Sequence, residues 1–210
     1  MTNIADKEEQ HLHRLILFSD AVFAIAITLL AIEIHPPEGW DGDVGSFFHL
    51  MAAKLLAYAV TFATIGVLWI SHRRTFSRLR RADGPLDVLN FLMLGLVALL
   101  PLATQLLWEV HTAGPLLLYV SLVAVIGLVQ GLIWTHAAFI GKLAEPMSLG
   151  TRLFILLRVT LLPGLFCGLS FLSLGTRTPW GFLAIGGVML VMTLIGRRLQ
   201  PKPSPVPTEA

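Results

Sequence analysis

Asp20 is the residue of this 210-residue sequence that most needs a chemical reason. It lies inside the apolar run LILFSDAVFAIAITLLAIEI (15–34), with Arg14 six residues before it, Ser19 beside it, and Thr28 and Glu33 further on. A carboxylate about one and a half turns into such a helix is costly in a bilayer and needs a partner. Two chemistries answer that need: a buried ion pair that fixes helix packing, or a proton or ion site. His72, closing the second apolar run, reads either as a member of a polar network or as a pH-responsive element bonded to Asp20 or Ser19. His11-Leu12-His13 lacks further ligands and reads as solvated tail rather than a metal site. Arg158, inside the fifth apolar run, either snorkels to the headgroups or pairs within the bundle. Glu33, Glu38, Asp41 and Asp43 form a cation-concentrating vestibule or a plain solvated loop. The Arg73–Arg81 cluster reads as a topology signal and an anionic-lipid contact.

The elements that position these residues follow from composition. Apolar residues make up 55% of the chain and charged ones 13%, where a soluble domain averages roughly 25% charged. Mean hydropathy is +0.77. Six runs are long enough to cross a hydrocarbon core of about 30 Å. They cover 15–34, 47–76, 86–108, 115–138, 152–173 and 180–196, giving an all-α integral membrane fold with one six-helix domain over 1–199. The tail 200–210 is proline-rich and reads as disordered. The opening segment, with Asp6, Glu8 and Glu9, is no cleavable signal peptide. A lone Cys167 inside an apolar run excludes a disulfide framework and a CxxC metal site.

Lys and Arg set the orientation. Of 15 such residues, 12 fall on the side of the termini: Lys7, Arg14, Arg73, Arg74, Arg78, Arg80, Arg81, Lys142, Arg152, Arg197, Arg198 and Lys202. The opposite loops hold only Arg177. This bias puts both termini in the cytoplasm, with Trp40, Trp108 and Trp180 at the outer interface. Loops so short leave no folded extramembrane domain, so activity must sit between helices or on an axis between subunits. Inside the spans there is no carboxylate pair, metal-ligand cluster or nucleophile–base set, which argues against an enzyme. No cofactor or nucleic acid is implied.

At about 100° per residue, Phe18, Val22, Ile25, Leu29 and Ile32 form one narrow stripe. Asp20 stands about 140° from Ile25 and points toward neighbouring helices if the stripe faces an axis. Ala21, Ala24, Ala26 and Ala31 permit close packing. The run Arg14-x-x-x-Phe18-Ser19-Asp20 followed by AVFAIAITLLAIEI resembles the transmembrane protein 175 family, potassium channels of lysosomes and endosomes with shorter prokaryotic relatives. The likeness continues in Trp69-x-x-His72, Asn90 and Pro101.

The resemblance implies a homotetramer of single-repeat chains in a prokaryotic plasma membrane, with the first helix lining a central pore. Ile25, Leu29 and Ile32 then become hydrophobic layers, with Ile25 the narrowest ring, and Thr28 offers a hydroxyl to permeating potassium. Arg14, Phe18, Ser19, Asp20, Trp69, His72 and Asn90 become the structural network around the pore helix. No TVGYG-like run exists, so a carbonyl cage is not available. A dry ring favours potassium modestly, because potassium sheds water more readily than sodium. Leak-like conduction without a voltage sensor is the expectation, since no helix carries an arginine ladder. The alternative is a secondary carrier for a small cation or metabolite, which needs a mid-membrane pocket with polar residues on several helices.

Overall fold

The computed structural model describes residues 4–176, apart from Glu38 and His111. Its helices are α1 (Ile4–Ile32), α2 (Val44–Phe76), α3 (Gly84–Ala98), α4 (Leu100–Glu109), α5 (Ala113–Thr135) and α6 (Leu149–Thr176), with a π-helical turn over His136–Ile140 continuing α5. Among the described residues, four helical rods are long and apolar enough to cross a membrane: Asp6–Ile32, Val44–Phe76, Gly84–Glu109 and Ala113–Ile140. The protein is thus an all-helical integral membrane protein. The sixth span expected over 180–196, Trp180 and the tail 200–210 lie outside the described residues.

Three boundaries differ from the apolar runs, each for a local reason. α1 begins eleven residues before Leu15, because the polar opening segment is itself helical and carries Asp6 in the first turn, where the helix dipole favours a carboxylate. The third rod is broken at Leu99 rather than continuous. Pro101 occupies the first turn of α4 and has no N–H to return to Val97, while the N–H of Leu99 bonds Leu96 and Val97. The end of α5 widens into the π-helical turn, closed by the N–H of Gly141 on the carbonyl of His136 at 2.8 Å.

Caps set where rods start. Asp43 accepts the N–H of Ser46 at 2.7 Å and opens α2. Ser46 also donates its hydroxyl to Asp41, which holds that carboxyl below the usual carboxylate range. Two of the acidic residues read as a vestibule or a solvated loop are therefore engaged within this turn, Asp43 as the cap and Asp41 as a partner of Ser46. Gly39 and Gly42, at φ +70° and +89°, make the reversal between α1 and α2. Asp83 caps α3 by accepting the N–H of Leu86 at 3.0 Å.

The ends of α2 and α5 are tied together where the basic residues gather, hereafter the basic end. The N–H of Arg80 donates to Leu143 at 2.9 Å and that of Glu145 to Arg78 at 3.0 Å. His136 donates to the carboxylate of Asp83 at 2.9 Å. His11 does the same to Asp87 at 2.9 Å, so the segment expected to be solvated tail is helical and docked on α3.

Leu86, Met93 and Val97 of α3 and Tyr119, Val123 and Ile126 of α5 are fully enclosed. Lipid tails are as apolar as leucine, so close approach and polar cross-links hold the rods together. α5 meets α6 through Gly127 and Gly131. A Cβ on Gly127 would lie 2.7 Å from the carbonyl oxygen of Thr160, and one on Gly131 2.5 Å from its hydroxyl oxygen. Gly131→Leu is expected to push these helices apart, cost about 1–3 kcal/mol and lower the melting temperature in detergent. Gly95→Ala, whose added methyl would meet nothing within 4 Å, should leave it unchanged or raise it.

Candidate functional site: the first helix and its polar anchor

α1 presents two unlike faces. Phe23, Ala26 and Leu30 each expose 1% of their surface, while Ile25 and Ile32 expose 57% and 66%. Phe18 and Leu29 join the exposed side, and Val22 is half-buried at its edge. The stripe found from helical spacing therefore lies along one edge of the face of α1 that this chain leaves uncovered, which also carries Leu17, Ala21, Ala24 and Ala31, and the opposite face packs on α2, α3 and α4.

Thr28 lies on the uncovered side and donates its hydroxyl to the carbonyl of Ile25 at 2.9 Å. With the proton committed to the backbone, the oxygen's lone pairs remain available to a cation. Phe18 meets Phe91 of α3 with ring centroids 5.3 Å apart.

The buried face carries a directional chain of hydrogen bonds. His72 on α2 meets the Oδ1 of Asn90 on α3 at 3.0 Å through Nε2. The Nδ2 of Asn90 donates to the hydroxyl of Ser19 at 3.0 Å, and that hydroxyl donates to the carbonyl of Leu15 at 2.8 Å. An amide oxygen can only accept, so the proton of this neutral-compatible link sits on Nε2 of His72. All three side chains are buried, and the imidazole stacks on Phe76 at 4.0 Å and leans on Phe23 at 5.6 Å. The partner of His72 is thus Asn90, rather than Asp20 or Ser19 directly.

Asp20 makes a second link between α1 and α2. It accepts from the indole N–H of Trp69 at 2.8 Å. Arg73, one turn on, rests over the Trp69 ring at 4.9 Å from its centroid. Arg14 stands apart from both links: it is exposed and borders an open hollow with Lys7, His11 and Asp87. Residue spacing alone did not single out Arg73, Phe23 or Phe76. Trp69–Arg73 and His72–Phe76 are both four apart on one helix, and that spacing was the available signal.

Removing the middle of the chain should cost most. Asn90→Leu strips a partner from both His72 and Ser19 and is expected to destabilise by about 1–3 kcal/mol. Leu92→Ala, on the exposed side of α3, should shift the melting temperature far less. Thermal melting of both variants in detergent checks this.

The pattern of the family described as endosomal/lysosomal potassium channel TMEM175 matches residues 14–101, from Arg14 through the network to Pro101. A potassium channel of Streptomyces collinus is 37% identical over 139 residues, covering 61% of this chain and 66% of that protein. One of Chamaesiphon minutus is 37% identical over 144 residues, covering 65% and 70%. The bovine endosomal/lysosomal proton channel TMEM175 is 43% identical over 97 residues, which are 42% of this chain and 20% of that protein. In structure, the chain is similar to the crystal structure of a lysosomal potassium-selective channel TMEM175 homologue from Chamaesiphon minutus. The TM-score is 0.63 at 30% identity, over 91% of this chain and 100% of that one. The chain belongs to the TMEM175 family, a family of ion channels and not of enzymes.

Proposed function

We propose that this chain is the protomer of a potassium-permeable, leak-like cation channel whose pore is lined by α1. The observation that carries the reading is the uncovered Ile25–Leu29–Ile32 face on a helix that is otherwise anchored by buried hydrogen bonds. A helix held so firmly on one side, with a regular apolar stripe on the other, suits a surface met by copies of itself around an axis. The naming of bacterial relatives as potassium channels supports the ion.

In this reading four copies assemble, each a six-helix domain over 1–199, followed by a cytoplasmic tail 200–210. Both termini face the cytoplasm of a prokaryotic cell. Ile25 forms the narrowest ring, with Leu29 and Ile32 as further apolar layers beyond it. The constriction is dry, so an ion crosses it by giving up part of its hydration. Potassium gives up water at lower cost than sodium, which produces moderate selectivity without a carbonyl cage. The lone pairs of Thr28, one turn from Ile25, compensate part of that loss. Ser19, Asn90, His72, Asp20 and Trp69 act as the frame that keeps the stripe on the axis, and no cofactor takes part.

Flux from liposomes holding the purified protein tests the function. Rapid potassium flux without added substrate, and slower sodium flux, is the expected outcome. Saturating, counter-transporting flux would mean a carrier and overturn it. Ile25→Ala is expected to widen the ring and reduce potassium-over-sodium discrimination. Unchanged selectivity would remove Ile25 from this role.

A further inference from the structure

Arg158 is half-buried on α6, six residues beyond Arg152 and so about 9 Å further along the axis. It lies within electrostatic reach of Arg74, near the end of α2, and Arg78, in the turn that follows. α2 packs against α6, which brings these cations to one seam at the basic end.

Two arginines at this end have side-chain partners. Arg73 rests on Trp69, and Arg152 donates to the carbonyl of Ala138 at 2.9 Å and lies over Phe139. Among the described residues, no carboxylate reaches ion-pair distance of Arg74, Arg78 or Arg158. The nearby aspartates Asp83 and Asp87 are taken by His136 and His11. Glu145 approaches Arg78 only through its backbone N–H, and its side chain is exposed.

Three converging cations repel one another, and partial removal from water strengthens the repulsion. The arrangement needs a counter-anion. Arg74 and Arg78 lie where α2 ends, and the long side chain of Arg158 can snorkel from the apolar run toward the headgroup phosphates there. Leu157 and Leu161, flanking Arg158 on α6, are exposed and face outward as acyl chains require. Guanidinium groups match phosphate oxygens with paired N–H donors, and basic seams between membrane helices suit anionic headgroups.

We propose that Arg74, Arg78 and Arg158 form a binding site for the phosphodiester of an anionic phospholipid at the α2–α6 seam. A free phosphate ion offers the same chemistry, but the outward apolar flank of Arg158 selects the lipid. The site is independent of the stripe on α1.

The test uses the full chain equilibrated with vesicles of equal phosphatidylglycerol and phosphatidylcholine. Lipid retained after transfer to detergent is then counted by native mass spectrometry. Phosphatidylglycerol should be retained preferentially, and its affinity should fall about five-fold for each arginine removed in R158Q and in R74Q/R78Q. R80Q, an exposed arginine at the same end, should keep the preference. Excess inorganic phosphate should not displace the lipid; full displacement would assign the site to free phosphate and overturn the lipid reading. Retention in R158Q and R74Q/R78Q equal to that in R80Q would overturn the site. If R158Q does not fold, R74Q/R78Q decides alone. Ion flux plays no part in the readout, so failure here leaves the channel reading untouched.

Discussion

In a bilayer a leucine gains little by leaving lipid for protein, so apolar surface alone does not tell one helix which face of its neighbour to choose. Here that choice rests on hydrogen bonds in series, from His72 through Asn90 and Ser19 to the carbonyl of Leu15. Each bond has one permitted direction, and each group is buried where water cannot replace a lost partner. The chain crosses three helices. It fixes both the rotation of α1 about its own axis and its height against α2 and α3. Asp20 and Trp69 add a second point of attachment nearby, and two points determine an orientation that one leaves free.

Orientation is what gives the uncovered stripe its meaning. Were α1 free to turn, Ile25 and Ile32 would be ordinary lipid-facing residues. With Phe23, Ala26 and Leu30 locked inward, the stripe can face only outward, and its use depends on what meets it. The break at Leu99 works in the same direction. α4 restarts the rod after it and sets Thr104 within 2.9 Å of Thr61 on α2. A polar contact therefore braces the other half of the bundle as well.

Much of this was legible from residue order, and the reasons for the rest are physical. Rod positions followed from apolar runs, because membrane thickness imposes length whatever the packing. Helical angle alone supplied the stripe and the separation of Asp20 from it, while the direction in which the stripe faces was implied only by the family resemblance. Partners between helices did not, since spacing along one helix carries no information about the height of another. His72 was accordingly matched with Asp20 or Ser19 when its bond goes to Asn90. The polar residues before Leu15 looked like tail because their docking depends on Asp87, seventy-six positions from His11. Pro101 was visible, but apolar continuity through 86–108 concealed the break it causes. Arg73 was counted as part of a basic loop, whereas its spacing from Trp69 placed it on an aromatic face.

The central claim is that α1 turns its Ile25 face, and no other, toward the ion path. Cysteines placed one at a time along α1 in a Cys167→Ser background, with silver ions applied during potassium flux, test this directly. Block at positions 25, 29 and 32 with none at 23, 26 and 30 is the predicted pattern. Block at the buried positions, or none at 25, would contradict the account.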